Sequence, residues 1–565
     1  MENFFVVIGP PGTGKTTYLS QKASEAARKY GSNNILIASL TKTAAAEVAG
    51  RNIPIPKNQI GTLHAHAFRA LGHPNIVEPK DLKDFNVYLQ AHTDTPEIFA
   101  TTHLSQADRR DLDEPKFDAT RSGSDLLDEY TLLRSRRLPQ AQWTDPNLLA
   151  FAALWEAWKA SEDLLDFEDL IEVAARDCPY PLGHPKIIYL DEAQDLSTSE
   201  VYLVLQWAKN VEAVVAVLDP QQALYTWRGA DPTLLLQMAK RKGQVKVLEQ
   251  SYRVPQWPHA YAVNWINSMP EVEHFAYKPT ATRGFVKRYQ VDIGEGRPLL
   301  HIAEEYLEAG KSLMFLTSCD YMLKGFLAAL RNAGLPFHNP YRVKRGDWNP
   351  LKSASKVLAY LRPDSETWGD HARIWNWEDL HTWFDVIETD LLLRGVKTTF
   401  KQFAEQHPAS LIADTMDEAL DTIRNAFRDP AVFNFDPHNF DGFRQLLKRT
   451  KIEKENELPE GKQHRRFEYI LKLVERFGGA RLLQVPQIIV GTIHSVKGGE
   501  ADIVFVAPEI SPQADEGLRS QKLSAIAEIH RLFYVAFTRA KEGVILLAPR
   551  NVHSVDFPSP DIVLG

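Results

Sequence analysis

The sequence begins with an apolar run and a glycine-rich loop, "FFVVIGPPGTGKT", which leads into the helical pattern "TTYLSQKASEAARKY". Residues 9–16 fit the pattern G-x-x-x-x-G-K-[S/T], and strand, loop and helix stand in the order that this pattern requires. Such a loop wraps backbone N–H groups around phosphate oxygens, and the positive end of the following helix dipole adds to the attraction. The loop therefore predicts a nucleoside triphosphate site in a parallel α/β fold, with a chance glycine-rich turn as the alternative.

Two residues of the loop and two later acidic residues fit the chemistry of phosphoryl transfer. Lys15 is expected to reach the β- and γ-phosphates, and Thr16 to bind Mg²⁺. In "KIIYLDEAQD", Asp191 would bind Mg²⁺ through water and Glu192 would polarise the attacking water. Adjacent carboxylates at a strand end are costly unless a cation or water meets them. Taken alone, this stretch also fits a solvated acidic loop.

Seven short apolar runs predict buried parallel strands, because they are rich in Val, Ile and Leu and several precede helical patterns. The runs are "NFFVVIG", "NILIASL", "KIIYLDEA", "AVVAVLD", "IIVGTIHS", "DIVFVAPE" and "GVILLAP". This alternation indicates an α/β fold with two domains, each interrupted by a mainly helical insertion. The first domain would comprise residues 1–70 and 165–275 around an insertion at 71–164. The second would comprise residues 276–345 and 480–565 around an insertion at 346–479.

Composition narrows the class of protein. No apolar run approaches the roughly 20 residues that a membrane span needs, and the N-terminus has no export signal, so no membrane partner is expected. The two cysteines, Cys178 and Cys319, form no metal or disulfide pattern, so a reducing cytoplasm is expected. The net charge of −8 neither predicts nor excludes nucleic-acid binding, since a basic groove can lie on an acidic protein.

Seven further stretches follow one another in a recognisable order. They are "SLTKTAAAEV", "GTLHAHAFRAL", "LDEAQDLS", "VLDPQQALYTWRGAD", "LEQSYRVP", "VGTIHSVKGGEADIVFV" and "HRLFYVAFTRAKE". Together with the phosphate loop, this set resembles the motifs of the UvrD/Rep/PcrA-like superfamily 1 DNA helicases. The resemblance covers residues 9–542, with gaps where that family carries its helical insertions. It implies two RecA-like parallel-sheet domains of the P-loop NTPase fold, ATP and Mg²⁺ as cofactors, and DNA as the partner.

The resemblance also assigns nucleotide contacts outside the loop. Arg253 and Arg539 stand where the family places arginines that face the γ-phosphate, and such groups are worth about 10³–10⁵ in rate. A lone arginine is otherwise more often in a surface ion pair. Gln222 matches a glutamine that senses the γ-phosphate, Tyr252 an aromatic ring that stacks on the base, and Glu500 a ribose-contacting carboxylate. The predicted catalytic residues are Lys15, Asp191, Glu192, Gln222, Arg253 and Arg539, and the predicted metal ligands are Thr16 and Asp191. The predicted nucleotide-binding residues are Gly9, Pro10, Pro11, Gly12, Thr13, Gly14, Lys15, Thr16, Thr17, Tyr252, Arg253, Glu500 and Arg539.

Contacts to single-stranded DNA are implied in the same way. Proteins hold single strands by aromatic stacking and backbone contacts. Trp227 is expected to stack on a base, and a buried core tryptophan is the alternative without the family match. His64 and His494 also fit local hydrogen bonding beside a strand end. The predicted set is Thr41, Lys42, His64, Tyr225, Trp227, Arg228, Thr492 and His494.

The sequence departs from the family at the expected adenine contacts. Thr17 stands where the family often has an arginine that packs on the base. Only eight residues precede Gly9 and none is glutamine, whereas family members usually carry an upstream glutamine that reads the adenine edge. Because buried hydrogen bonds give large selectivity, relaxed use of nucleoside triphosphates is a hypothesis that hydrolysis rates would test. The chain also ends soon after the last motif, so no nuclease domain is expected.

The resemblance predicts an ATP-dependent DNA helicase that translocates 3′→5′ along single strands and unwinds duplex at single/double-strand junctions. One alternative is a single-strand translocase that displaces proteins or unwinds only with partner proteins. A nucleotide-gated binding module with little turnover is disfavoured because all the residues expected for hydrolysis are present: Lys15, Glu192, Gln222, Arg253 and Arg539. An RNA motor is a further alternative, although no residue pattern reads a 2′-hydroxyl group.

Overall fold

The structure, a computed structural model, describes residues 3–39, 50, 53–104, 122–241, 243–269, 273–448 and 462–564. These residues form strands that are numbered here in chain order. They are β1 (Phe4–Ile8), β2 (Ile35–Ser39), β3 (Ile60–Thr62), β4 (Ile187–Asp191), β5 (Ala213–Leu218), β6 (Val245–Val247), β7 (Phe285–Arg288), β8 (Leu313–Thr317), β9 (Phe337–His338), β10 (Ile488–Thr492), β11 (Ala501–Val506) and β12 (Ala540–Leu546).

The first sheet has the strand order β3-β2-β4-β5-β1-β6, and its strands pair in parallel. Ile8 lies opposite Leu218, and Ser39 lies opposite Asp191. The strands β2 and β4 are buried along their whole length, which explains their nearly unbroken apolar sequences. Parallel pairing brings the carboxyl ends of β1, β4 and β5 to one edge, where α/β sheets bind ligands.

The second sheet has the order β7-β12-β11-β8-β10-β9. In this sheet β9 pairs with β10, β11 with β12 and β12 with β7, and each of these strand pairs is parallel. Helices connect the strands of both sheets, as parallel pairing requires. The predicted α/β class with two parallel sheets is therefore confirmed.

The helices are also numbered in chain order. They are α1 (Lys15–Tyr30), α2 (Leu63–Ala70), α3 (Leu82–His92), α4 (Pro96–Phe99), α5 (Gly123–Ser135), α6 (Pro146–Ser161), α7 (Phe167–Asp177), α8 (Thr198–Ala208), α9 (Leu234–Lys240), α10 (Gln256–Asn267), α11 (Gly296–Glu308), α12 (Lys324–Asn332), α13 (Ala354–Tyr360), α14 (Ser365–Trp368), α15 (Trp377–Phe384), α16 (Val396–Gln406), α17 (Met416–Arg424), α18 (Asp441–Leu446), α19 (Lys462–Phe477), α20 (Pro512–Arg519), α21 (Leu523–Phe537) and α22 (Pro560–Leu564). Among the described residues, no helix has the length and apolar character needed to cross a membrane.

The chain divides into two compact units. The first comprises Met1–Gln290, Leu316–Met322 and Thr492–Gly565, and the second comprises Val291–Phe315 and Leu323–Gly491. The first unit contains the whole first sheet, and its core is made of the apolar residues of β1, β2, β4 and β5 with the helices against them. It also contains every predicted site residue that the structure describes, so the candidate site is described within this unit.

Each unit also has a helical part with an aromatic core. In the first unit, α3 and α6 pack through Phe85, Phe151, Trp155 and Trp158, which are all at most 1% exposed. In the second unit, the tryptophan-rich stretch 366–386 supplies Trp375 and Trp383 to a core with Tyr360 and Phe443. Large aromatic side chains bury much apolar area with few rotatable bonds, so short helices can form stable cores around them.

Candidate functional site

The phosphate loop leaves the first sheet at the end of β1. The backbone N–H of Gly9 donates to the Leu218 carbonyl of β5 over 2.9 Å, which fixes where the loop begins. Gly12 and Gly14 have φ angles of 72° and 79°, the left-handed region that favours glycine. Gly14 directly precedes α1. The backbone groups of the loop thus lie at a helix N-terminus, the arrangement that binds phosphate.

A second segment, 251–253, is attached to the loop. Tyr252 donates its N–H to the Gly12 carbonyl over 2.8 Å, and the Ser251 hydroxyl donates to the Pro11 carbonyl over 2.8 Å. A Cβ on Gly12 would lie 2.6 Å from the Cβ of Arg253. The close approach therefore needs glycine here, and it brings Arg253 and Tyr252 to the predicted nucleotide site.

Lys15 and Thr16 connect the loop with the acidic end of β4. The Lys15 amino group donates to the Gly9 carbonyl over 2.9 Å and lies 3.9 Å from Glu192 Oε1. The Thr16 hydroxyl donates to Asp191 Oδ2 over 3.3 Å. Asp191 is 2% exposed.

This donor set fits a magnesium ion, which prefers oxygen ligands and keeps several waters. The hydroxyl of Thr16 and the carboxylate of Asp191 would hold the ion. Among the described residues, no group of three or more His, Cys, Asp and Glu side chains is arranged to hold a metal. The remaining ligands would accordingly be phosphate oxygens and water, as in other phosphate-loop enzymes.

Glu192 occupies a strained position beside this pair. Its φ angle is 52°, which is uncommon for a residue other than glycine and typical of functional sites. Gln194 donates to Glu192 Oε2 over 2.6 Å. Burial alone would raise the pKa of Glu192, but the positive charges of Lys15 and Lys497 lower it to about 2. The carboxylate is therefore ionised at neutral pH and can orient a water molecule.

A chain of hydrogen bonds leads from Glu192 to Gln222. Gln194 is fully buried and accepts the Asp219 N–H over 3.0 Å. Asp219 in turn accepts from the Gln222 side chain over 2.6 Å. Gln222 is 3% exposed, and its Oε1 accepts from the Arg539 guanidinium over 2.8 Å. The two predicted γ-phosphate residues Gln222 and Arg539 are thus in direct contact.

Arg539 lies between helix α21 and strand β12 and is 2% exposed. Besides Gln222, it donates to the carbonyl groups of Val535, over 3.0 Å, and Gly499, over 3.3 Å. A buried arginine needs such partners, since an unpaired buried charge is costly. These bonds hold the guanidinium in one orientation.

Arg253 and Glu500 form an ion pair at the edge of the site. The Arg253 Nε donates to Glu500 Oε2 over 2.7 Å. The Tyr252 ring beside them is 78% exposed. An exposed ring next to a phosphate loop offers a face on which a base can stack. Thr17, at the first turn of α1, is also exposed.

Sequence reasoning missed Lys497, which lies in the quoted stretch "GTIHSVKGGE". Its amino group forms an ion pair with Asp195, lies 3.6 Å from Glu192 Oε2 and donates to the Gln222 carbonyl over 2.8 Å. It also lies 5.6 Å from the centre of the Tyr225 ring. Burial alone would lower the pKa of Lys497, but the two carboxylates raise it above its ordinary value. Only its place inside a recognised motif could have indicated its importance.

We call Glu192, Gln194, Asp195, Asp219, Gln222, Lys497 and Arg539 the nucleotide-site network. Asp195 is 3% exposed, and burial raises its pKa to about 6 against the opposing effect of Lys497.

The aromatic residues predicted to contact DNA lie next to this network. The Tyr225 ring centre is 6.2 Å from that of Trp227 and 6.3 Å from that of His494. The Arg228 side chain is exposed, 5.8 Å from the Tyr225 ring. Trp227 is only 7% exposed, so in this conformation its ring is mostly covered by protein. Stacking of a base on Trp227 stays a prediction, and it requires the ring to become more accessible.

The remaining predicted DNA contacts are spread around the same region. His64 lies 3.4 Å from Glu200 Oε1 and packs edge-on against Phe167, and burial lowers its pKa. The Thr492 hydroxyl, fully buried, accepts the Ser495 N–H over 3.2 Å. Thr41 and Lys42 lie outside the described residues.

Comparisons with known proteins agree with this geometry. Residues 1–243 match the model of the UvrD/REP helicase N-terminal domain, and residues 433–550 match that of the UvrD-like helicase C-terminal domain. Together the two matches span more than half of the chain.

Individual relatives are similar over different lengths. The "Probable DNA helicase II homolog" of Mycoplasma pneumoniae is 23% identical over an alignment of 608 positions, which covers 96% of this chain and 81% of the relative. The "ATP-dependent DNA helicase Rep" of Escherichia coli is 25% identical over 44% of this chain and 39% of its own length. The "ATP-dependent DNA helicase PcrA" of Bacillus subtilis is 40% identical over 16% of this chain and 13% of its own length. The chain therefore belongs to the UvrD/Rep-like superfamily 1 helicases and is an ATP-hydrolysing DNA helicase.

Proposed function

We propose that this helicase translocates 3′→5′ along single-stranded DNA and separates duplex at single/double-strand junctions. The observation that carries the mechanism is the path of contacts from the phosphate loop to the aromatic surface. Lys15 approaches Glu192, and Lys497 contacts both Glu192 and the Gln222 backbone while lying over the Tyr225 ring. A change at the phosphates can thus alter contacts at a strand-binding surface through one side chain.

In this proposal the phosphate loop and Lys15 bind the triphosphate, with Mg²⁺ held by Thr16 and Asp191. When bound, Mg²⁺ neutralises phosphate charge. Glu192 orients the attacking water, which its low pKa supports because the carboxylate is ionised at neutral pH. As the water oxygen bonds to the γ-phosphorus, the bond from this phosphorus to the β–γ bridging oxygen breaks and ADP leaves. The proton released by the water goes to this carboxylate or to solvent.

Arg253 and Arg539 would stabilise the charge that develops on the transferred phosphoryl group, with Gln222 as the sensor. The Gln222–Arg539 hydrogen bond supports this role, because both side chains are already aimed at one another. Tyr252 would stack on the base. Glu500 would exchange its ion pair with Arg253 for the ribose hydroxyl groups.

Tyr225, Trp227, Arg228 and His494 would form the centre of the single-strand contact. The Trp227 and His494 rings lie 6.2 and 6.3 Å from the Tyr225 ring, and the Arg228 guanidinium lies 5.8 Å from it. His64, Thr492, Thr41 and Lys42 would extend this contact. We also propose a cytoplasmic location, because neither Cys178 nor Cys319 forms a disulfide bond.

ATP hydrolysis with and without single-stranded DNA, beside single-stranded RNA of the same length, tests the substrate class. We expect strong stimulation by DNA and little by RNA. Equal stimulation by RNA would contradict the assignment. Glu192→Gln should bind ATP but hydrolyse it poorly, whereas Lys22→Gln, at an exposed ion pair with Glu25 on α1, should behave as the unsubstituted chain.

Direction and unwinding need separate substrates. Partial duplexes with only a 3′ or only a 5′ single-stranded tail, and a forked duplex, should be unwound when a 3′ tail is present. Streptavidin displacement from biotinylated single strands of either polarity measures translocation alone. Displacement without unwinding would favour a translocase that strips proteins from DNA or unwinds only with a partner.

A further inference from the structure

The run "RSRR" at the end of α5 contains arginines in opposite environments. Arg134 points inward and pairs with carboxylates of the neighbouring helices α6 and α7, including Asp169 over 2.8 Å. Arg136 and Arg137, only two and three residues later, are exposed. Among the described residues, neither forms an ion pair with a carboxylate. Two adjacent exposed arginines with no acidic partner form a positive surface.

Arg137 lies over an aromatic ring. Its guanidinium carbon lies 3.7 Å from the centre of the Tyr202 ring of α8, which is 37% exposed. The backbone of Arg137 has a φ angle of 55°, an uncommon conformation that turns the chain at the end of α5. A guanidinium stacked on a ring keeps its N–H edges available to accept a phosphate.

Arg136 joins this surface to the loop 225–229. Its guanidinium donates to the Thr226 carbonyl over 3.2 Å, and the Ser135 hydroxyl donates to the Arg228 carbonyl over 3.0 Å. Gly229, at a φ of 90°, leaves no room for a side chain, because a Cβ would lie 2.2 Å from the Ser135 hydroxyl. The end of α5 is therefore fixed against the loop that carries Tyr225 and Arg228.

The nearby acidic residue on α8 does not neutralise the surface. Glu200 is 5% exposed, and its carboxylate caps its own helix by accepting the Ser197 N–H and lies beside His64. Arg228, like Arg136 and Arg137, is exposed and has no carboxylate partner among the described residues. Three arginines and two partly exposed tyrosines thus share one continuous area.

We propose that Arg136, Arg137 and Tyr202 form an additional contact surface for single-stranded DNA that continues the strand-binding residues Tyr225 and Arg228. The inference rests on the proposed function, which places the strand at Tyr225. Single strands are bound by cations that follow the phosphates together with rings and guanidinium planes on which bases stack. This combination is present here. The surface would lengthen the strand in contact with the protein.

Equilibrium binding of fluorescent oligo-dT at several salt concentrations tests the proposal. We expect Arg136→Ala/Arg137→Ala to weaken binding of a long oligonucleotide of about 16 nucleotides roughly tenfold at low salt. The slope of log affinity against log salt should fall by about 1.4, since each lost phosphate contact removes about 0.7. Binding of a short oligonucleotide of about 6 nucleotides, which fits on the central residues alone, should change less than about threefold.

Two matched variants control for fold and charge. Lys209→Ala removes one exposed cation from the opposite end of α8 and should change neither affinity nor slope. Arg137→Lys keeps the charge but loses the stacked plane, so the salt slope should stay the same while the affinity falls by a smaller factor. Unchanged thermal unfolding midpoints would show that the variants are folded.

Each contrary result has a different meaning. Equal weakening of long and short oligonucleotides, or no weakening of either, would overturn the surface while leaving the proposed function intact. If Arg136→Ala/Arg137→Ala weakened binding of duplex DNA and not of single strands, the surface would bind duplex DNA, and the proposal of a single-strand contact would be wrong. An unsubstituted chain that does not bind single-stranded DNA at all would overturn the proposed function as well.

Discussion

The first unit contains two groups of interacting, mostly buried charged residues that differ in how they are assembled. One, which we call the Arg134 cluster, consists of Tyr130, Arg134, Glu156, Lys159, Asp166, Asp169 and Glu172 on α5, α6, α7 and the turn before α7. All of its members lie within about forty residues of sequence. The nucleotide-site network, in contrast, joins residues from Glu192 to Arg539, and its members belong to loops at strand ends.

This difference in partners indicates a structural role for the first group and a ligand-responsive role for the second. In the Arg134 cluster every cation has several carboxylate partners on helices, and Asp166 also accepts from the Trp155 indole over 3.1 Å. Because the partners of each cation lie within the cluster, its side chains are held in one arrangement. In the nucleotide-site network, Lys497 is shared between Asp195 and Glu192, and Glu192 is shared between Lys15, Lys497 and Gln194. Shared partners can be exchanged when a phosphate arrives, so this group can respond to a ligand.

Replacing Arg539 should have the largest effect on turnover. Arg539→Lys keeps the charge but cannot make the three hydrogen bonds to Val535, Gly499 and Gln222 together. We expect kcat to fall by about 10³-fold or more if Arg539 stabilises the phosphoryl-transfer transition state. Steady-state ATPase assays with saturating single-stranded DNA measure this. The same change at the exposed Arg550 is the control, and a loss smaller than about threefold at Arg539 would contradict the assigned role.

Replacing Lys159 should affect stability instead. Lys159→Met leaves Asp166 and Asp169 buried with one cation fewer, and breaking a buried ion pair in this way typically costs about 3–5 kcal/mol. We expect the urea midpoint of the unfolding transition to fall clearly. Lys80→Met, at a mostly exposed ion pair in the same helical part, should cost at most about 1 kcal/mol. Equal midpoints for the two variants would show that the Arg134 cluster does not stabilise the fold.

Glu168 lies on α7, between Asp166 and Asp169 in the sequence, and forms no ion pair with a cation among the described residues. It accepts the Ser199 hydroxyl over 2.9 Å, and burial together with the nearby Glu200 raises its pKa to about 8. The protonated form is therefore favoured in the folded state. Its contribution to stability is fully present below about pH 4.5 and is lost as the pH rises through about 8.

Glu168→Gln should remove that pH dependence, because glutamine keeps an acceptor for Ser199 and cannot ionise. We expect the free energy of unfolding of the variant, relative to that of the unsubstituted chain, to rise by about 4 kcal/mol between pH 5 and pH 9. Unfolding midpoints of both proteins at pH 5, 7 and 9 give the difference. A constant difference across this range would show that Glu168 does not titrate there.

Replacing Lys497 should have the smallest of these effects. It should act specifically on the stimulation of ATP hydrolysis by single-stranded DNA. Lys497→Gln removes the charge that connects Glu192, Asp195 and Tyr225, so we expect the stimulation of ATP hydrolysis by single-stranded DNA to fall about tenfold, which corresponds to about 1.4 kcal/mol. Lys541→Gln, at a surface ion pair with Asp502, is the matched control. Retention of full stimulation in Lys497→Gln would argue against a coupling role.

The sequence was sufficient to predict the strands that are long and apolar. All seven apolar runs contain observed strands, from β1 in "NFFVVIG" to β12 in "GVILLAP". It was insufficient to predict short strands such as β6, "VKV", and β9, "FH", because two or three residues carry no periodic pattern. These segments become strands because a longer neighbour supplies the hydrogen bonds, as β1 does for β6.

The candidate site was predictable to a similar degree. The phosphate loop could be predicted because its residues are adjacent in sequence and their spacing reflects phosphate geometry. The structure places Asp191 and Glu192 beside the loop, where they remain predicted site residues. Lys497 and Gln194 were missed, since their importance lies in contacts with residues distant along the chain. The sequence also left undecided whether Trp227 is buried, because a motif specifies the type of a residue and not its exposure.

The attachment of the segment 251–253 to the phosphate loop has a consequence for nucleotide exchange. Two hydrogen bonds and the close approach at Gly12 make Arg253 a rigid extension of the loop. Glu500, from a distant part of the chain, meets that extension through a single ion pair at the protein surface. Surface pairs contribute at most about 1 kcal/mol. If the base binds beside Tyr252, as proposed, a nucleotide would open this weak ion pair without disturbing the residues that contact its phosphates.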